Sequence, residues 1–308
     1  MKMKTVFFAF TVVLGGLVLA PLNAVESLAS RIAHTDPAKY RPSPSVHAGA
    51  GRLDYMALFD FHTLDTNLYF LHRGIIEPKS GIGHHFHNNC EEMFVILDGE
   101  AQFTIDGRTS LLKGPAGAPA RMGHSHAIYN PTDKPVQWMN INVSALKGEY
   151  DAFDLNDKRD DVVLDKTPVF INMSLDRSML SNVSAMHGGK GTVQYRRALG
   201  PAVFASPWSF VDHVVIPPGA SIGSHSYRGL AQFYYVMAGD GTVSLSTRGQ
   251  QDTAAIRKGD AVPIQMGEIH SFENTGTQPL ELMVVGVARD LRKELDFVDA
   301  SPAAPRRN

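Results

Sequence analysis

Apolar and polar residues alternate in short runs along most of this chain, and helical spacing is scarce. Residues 92–105 alternate in part and are rich in Phe, Val and Ile, with Asp98-Gly99 and Asp106-Gly107 as turn signals. Residues 136–143 and 280–287 read as late strands. Residues 233–237 and 242–246 read as two strands around Gly239-Asp240-Gly241. Residues 288–297 are the one good helix candidate, placed to cap the end of the chain. The 18 prolines and 27 glycines suit many short strands joined by turns.

Two parts of this pattern answer each other. Residues 77–87 (Glu-Pro-Lys-Ser-Gly-Ile-Gly-His-His-Phe-His) match residues 217–227 (Pro-Pro-Gly-Ala-Ser-Ile-Gly-Ser-His-Ser-Tyr) at an offset of 140. The offset holds to Glu92 and Gln232, and to Gly99 and Gly239. Residues 123–130 match residues 267–274 at an offset of 144. A duplicated β-domain explains this, so the predicted fold is all-β: two jelly-roll barrels in tandem, with short helices in the linker and at the C-terminus. The expected divisions are a leader at 1–24, an N-terminal arm at 25–55, a first barrel at 56–146, a linker at 147–200, a second barrel at 201–290, and a C-terminal helix and tail at 291–308.

Composition narrows the class. Hydrophobic residues make up 44% and charged residues 19% of 308, as in a globular protein. The net charge of -2 and the lack of a basic cluster argue against a nucleic-acid partner. Lys2 and Lys4, the apolar run 6–20 and the small Ala24 read as a signal peptide. A secreted or periplasmic protein with no membrane span after cleavage is expected, because the run is short for a spanning helix. Cys90 is the only cysteine, so no disulfide within the chain is available. It reads as an extra metal ligand, a redox-sensitive thiol or a small buried filler. Asn142, Asn172 and Asn182 each begin an Asn-x-Ser triplet.

The candidate chemistry lies in the first copy. His85 and His87 fall on one face of a strand, because side chains alternate. A hairpin-like return would bring Glu92 beside them, and His126 arrives from far along the chain. Three imidazoles and a carboxylate suit one divalent transition metal and not Ca or Mg. Manganese or iron stand first, with Zn, Ni, Cu and Co as alternatives. The second copy has His225, Tyr227, Gln232 and His270 at these positions, which reads as a lost metal site or a weaker second one. His72 and Arg73 precede the first motif, and Arg73, Arg121 and His124 are candidates for binding substrate. No general acid or base stands out. No phosphate loop, nucleophile elbow or Cys-x-x-Cys appears.

With these residues in place the chain resembles the cupin superfamily, specifically its two-domain members, the bicupins. His85, His87, Glu92 and Gly99 fit the first cupin motif, and Gly123, His126 and Asn130 fit the second. Lys79 stands where a leading Gly is usual, and Arg121 where a Pro is usual. The resemblance covers about residues 70–145 and 210–290. It implies the fold and the metal, while the reaction stays open because such folds host many chemistries. An exported small-molecule enzyme is expected, a dioxygenase-like oxidoreductase first. A Mn-dependent lyase like oxalate decarboxylase, another lyase or isomerase, or a non-catalytic binding cupin are the alternatives. Oxalate-decarboxylase-like bicupins usually keep complete ligands in both barrels, which places the dioxygenase reading ahead at this point. A homo-oligomer is compatible with the sequence.

Overall fold

The computed structural model describes residues 27–247 and 250–300. The expected leader and the tail 301–308 lie outside them. Each barrel pairs a seven-stranded antiparallel sheet with a five-stranded one. In the first barrel the large sheet runs in the order Met173–Ser174, Ala116–Ala120, Cys90–Ile96, Val136–Ser144, Leu68–Ile76, Arg52–Phe59, Arg41–Pro44. Its small sheet runs Phe153–Asp157, Ser80–Phe86, Ser125–Asn130, Glu100–Ile105, Arg108–Lys113. The second barrel repeats both. No described helix is long and apolar enough to cross a membrane.

The repeat reaches further than its histidine motifs. Strand Arg52–Phe59 and its partner Arg41–Pro44 have counterparts in Thr192–Leu199 and Ser181–Ser184, each 140 residues on. The segments expected as an arm and a linker therefore carry strands of the barrels. Their outer ends also cross over. Ala33–His34 pairs with Asp260–Ile264 of the second barrel, and Met173–Ser174 pairs with Ala116–Ala120 of the first. Leu28 and Ile32 of the leading segment are buried in the second barrel's core. The linker's helices are short 3-10 turns.

The predicted C-terminal helix does not form. Residues 289–296 are turns and irregular chain, and Phe297–Asp299 is a strand against Ser221–Tyr227. It matches Phe153–Asp157, which lies on Ser80–Phe86 at the same edge of the first barrel. Strand pairing at a barrel rim satisfies backbone groups that an isolated two-turn helix would leave open.

The two large sheets pack face to face. Along Leu280–Ala288 every residue is buried. Leu280, Leu282 and Val284 face the second barrel's interior, while Met283, Val285 and Val287 face the other barrel. Met139, Ile141 and Val143 do the same from the first barrel. A strand covered on both faces needs a continuous apolar run, which is how residues 280–287 read. Alternation then decides each polar residue's role: in Cys90–Ile96, Glu92 faces the barrel interior with Phe94 and Ile96, and Glu91 faces the second barrel with Met93 and Val95.

Candidate metal centre

His85, His87, Glu92 and His126 come together inside the first barrel, with one ligand atom from each within 4.8 Å of the others. All four are buried. His85 and His126 are direct cross-strand partners in the small sheet. Glu92 comes from the large sheet, where it sits opposite Asn142 and Ala120. The carboxylate thus reaches the imidazoles across the barrel interior and not by a hairpin return. The turn at Asn88 and Asn89 carries the chain between the sheets, and both of its N–H groups donate to the Asp151 carboxylate at 3.0 Å.

The imidazoles are set up as ligands. Nδ1 of His85 donates to the Gly83 carbonyl at 2.8 Å, and Nδ1 of His87 donates to that of Asp151. Both Nε2 lone pairs are therefore free, and they converge with Nε2 of His126 at 3.1 and 3.3 Å. Burial holds His85 down to about 2, with His47 and His87 adding to the effect, and it holds His126 well below the ordinary imidazole range. Neutral nitrogens at these separations match the spacing of ligands around an ion at about 2.1 Å. The Glu92 carboxylate accepts from Asn140 Nδ2 at 2.7 Å and Asn142 Nδ2 at 2.9 Å. It lies 3.6 Å from His87 Nε2 and 3.8 Å from His126 Nε2. Among the described residues no Lys or Arg pairs with this buried carboxylate, and a divalent cation would supply a positive partner. The donor set fits a transition metal.

Some neighbours escaped the sequence reading. His47, in the left-handed region at φ 49°, stacks on His85 at 3.8 Å and bonds Asp154 at 2.6 Å. His187 stacks on His225 in the same way at 4.1 Å. The signal was present: His47-Ala-Gly-Ala-Gly51 matches His187-Gly-Gly-Lys-Gly191 at the offset of 140. Gly83 and Gly223 serve this packing, since a Cβ on either would fall 2.0 Å from the carbonyl oxygen of His47 or His187.

A cavity of about 90 Å³ adjoins Glu92, walled by His47, Tyr55, Phe70, His72, Trp138 and Tyr150 among others. His72 stacks on Phe70 at 4.0 Å, and burial lowers it to about 4 against the pull of the Glu92 charge. Tyr150 lies 5.6 Å from His87 and stacks on Tyr69 at 5.1 Å. Burial and the nearby Glu92 raise the phenol, so it keeps its proton. Cys90 is buried and raised to about 12, with Asn142 donating to its sulfur at 3.2 Å, so it is a thiol and packs as a filler.

The three expected substrate residues are not brought to the cluster. Arg73 alternates away from His72 and lies between the barrels. Arg121 is exposed. His124 precedes the strand Ser125–Asn130 and is tied to Asp106 at 2.6 Å. Of the triplets, Asn142 is buried beside Glu92, whereas Asn172 and Asn182 are exposed.

In the second barrel His225 and His270 keep their places, with ring centroids 4.2 Å apart. Tyr227 is raised to about 12 by burial, so it brings no negative charge. Tyr234, which replaces Phe94 at the offset of 140, donates its hydroxyl to His270 Nε2 at 2.9 Å with Gln232 Oε1 at 3.3 Å. His270 Nδ1 donates to the Glu268 carbonyl, so Nε2 is the acceptor. The phenol thus occupies the His270 lone pair, and at the equivalent position of the first barrel Phe94 offers no such donor.

These buried histidines make stability depend on pH. Burial lowers His225 from 6.5 to about 2 and His270 from 6.5 to about 4. Below about pH 6.5 the unfolded chain takes up protons that the folded chain refuses, so stability is full above that pH and falls on acidification. The expected slope is ~1.4 kcal/mol per pH unit for each histidine. Thermal unfolding of metal-free protein between pH 7 and 5 checks this, and a flat Tm would contradict it.

Comparison with known proteins agrees with this construction. The cupin domain family (Cupin_2) matches residues 72–142 and again 212–286. The oxalate-binding protein of Thermotoga maritima is 33% identical over 103 residues, which span 33% of this chain and 82% of that protein. The tetracenomycin polyketide synthase protein TcmJ of Streptomyces glaucescens is 25% identical over 123 residues, 40% of this chain and 78% of that protein. Among solved structures, oxalate decarboxylase from Bacillus subtilis superposes with a TM-score of 0.60 at 15% identity, covering 87% of this chain and 78% of that one. The Lactobacillus farciminis oxalate decarboxylase in its formate complex gives 0.62 at 13% identity, covering 87% and 88%. With both barrels matched and a full ligand set in the first, the chain belongs to the cupin superfamily as a two-domain bicupin.

Proposed function

We propose that the first barrel binds one manganese or iron ion and uses it to decarboxylate a small dicarboxylic acid of the oxalate class. The observation that carries this is the cavity beside Glu92. At about 90 Å³ it is far below the ~300–1,000 Å³ of sites for drug-sized ligands, so it admits only a very small molecule. No Lys or Arg lines it, so the charge of an acid there falls to the metal. The names of the relatives support the substrate class: one binds oxalate, and the solved decarboxylase of B. subtilis has Mn(II) centres. They move the decarboxylase reading ahead of the dioxygenase one, which rested on the incomplete second barrel.

A bound metal would supply Lewis acidity and one-electron chemistry. His85, His87, Glu92 and His126 would hold it, and Glu92, fixed by Asn140 and Asn142, is not free as a base. Cleavage of the acid's C–C bond releases CO₂ and requires a proton at the remaining carbon. His72 and Tyr150 are the proton carriers that line the cavity and stand outside the ligand set. His72 is neutral near pH 7 and Tyr150 is protonated, so Tyr150 can donate and His72 can relay. The ring walls of Phe70 and Trp138 limit water.

Manganese-loaded protein given oxalate is expected to release formate and CO₂ in equal amounts without net O₂ loss. Tight oxalate binding with no product would identify a carrier, and O₂ consumed in step with substrate would restore the dioxygenase-like reading.

A further inference from the structure

We propose that the cleft between the two barrels is a second ligand site, for a small monocarboxylate with an apolar body, seated on Arg73. The cleft holds a cavity of about 390 Å³, more than four times the one beside Glu92. Such a volume lies within the usual range for small-molecule sites. Strand Leu68–Ile76 turns His72 toward the metal cluster and Arg73 toward the second barrel.

Arg73 is only 6% exposed. Its Nε donates to the Tyr235 hydroxyl at 3.0 Å, Nη1 to the carbonyls of Gly74 and Trp138, and Nη2 to Gln137 Oε1. Every one of these acceptors is neutral. Among the described residues no carboxylate pairs with this guanidinium, and one N–H of Nη2 has no acceptor. A buried cation without an anion is unfavourable unless something else neutralises it.

The duplicated barrel provides an internal control. At the position equivalent to Arg73 stands His213, and at that of Gln137 stands Glu281. There the two bond at 2.7 Å, and Arg177 joins Glu281 at 2.5 Å. The second copy sets an acid beside the residue at this position, and the first copy sets an amide.

The rest of the wall specifies the ligand. Tyr40 and Tyr235 line the cavity, and neither hydroxyl has an acceptor for its proton among the described residues. They and the spare N–H of Arg73 form a donor set for one carboxylate. Leu97, Met237 and two prolines supply apolar surface. Of the other charges, Glu281 is already paired, and Lys258 and Asp98, both on the wall, cancel in formal charge. One positive charge, that of Arg73, is left over, which favours a monoanion over a dianion such as oxalate.

The test is a ¹⁹F NMR titration of the purified full chain with 4-fluorobenzoate. Saturable binding of one molecule per chain is expected, and it should persist in His85→Ala protein that has lost its metal. Arg73→Gln should weaken it by about tenfold or more, from the loss of a charged hydrogen bond. Met237→Trp, which narrows the facing wall without touching Arg73, should weaken it as well. No saturable binding to the wild type would overturn the proposal. So would unchanged affinity in Met237→Trp, or loss of binding in His85→Ala, which would assign it to the metal centre.

Discussion

Glu92→Ala protein is expected to emerge from purification without its metal, whereas Gln232→Ala protein keeps about one ion per chain. Glu92 is the single acidic residue of the cluster, and among the described residues no lysine or arginine pairs with its buried carboxylate. Removing it leaves three imidazoles, two of them with Nδ1 already committed to carbonyls. The affinity should fall by more than the ~10–100-fold usual for loss of a supporting partner. Asn142→Ala, which removes one of the two amides holding the carboxylate, should fall within that range. Gln232 lies in the barrel where the Tyr234 hydroxyl already meets His270, so its loss should not touch metal content. Elemental analysis after growth in manganese- and iron-supplemented medium reads all three. Equal loss in every variant would place metal in both barrels, and full retention in Glu92→Ala would remove the site.

Glu91→Ala is expected to destabilise the whole protein by about 3 kcal/mol or more. Glu91 is fully buried and faces away from the metal. Its Oε1 accepts from the Ala205 N–H at 2.8 Å, and Oε2 accepts from the Ser206 N–H at 2.9 Å and hydroxyl at 2.5 Å. Alanine would leave these donors buried and unpaired beside the lead into strand Trp208–Ile216. Lys293, which bonds the carbonyls of Pro201 and Phe204, would lose a neighbouring negative charge. Because the two barrels share one core, the loss should lower the midpoint of a single denaturant transition. Glu91→Gln, which keeps an acceptor, should recover part of it. A wild-type midpoint for the alanine variant would show that the contact between barrels carries no such load.

Much of the site could be read from spacing. His85, His87, Glu92 and His126 are a set that only one geometry explains, and the repeat made the geometry credible. Tyr234 was not legible, because an aromatic residue at an apolar strand position reads as core until its hydroxyl is seen against His270. The helix expected over residues 288–297 failed for a related reason. Its charges and leucines satisfy helical spacing, but the rim of a barrel offered a strand partner, and that non-local pairing prevailed.

The sequence alone determined the β-architecture, its duplication and which four residues would cluster in the first barrel, because alternation and turn chemistry are local and the histidines repeat at a constant offset. Only the tertiary structure decided how the barrels meet. The exchange of Ala33–His34 and Met173–Ser174, the seat of Glu91, and the orphan charge of Arg73 all depend on which face of a strand the other barrel covers. When both faces of a strand are buried, the alternation of apolar and polar residues that would distinguish them is erased. The same loss bears on Arg73, a substrate-binding candidate from the sequence: a single arginine has no periodic partner to say which side of the sheet it serves.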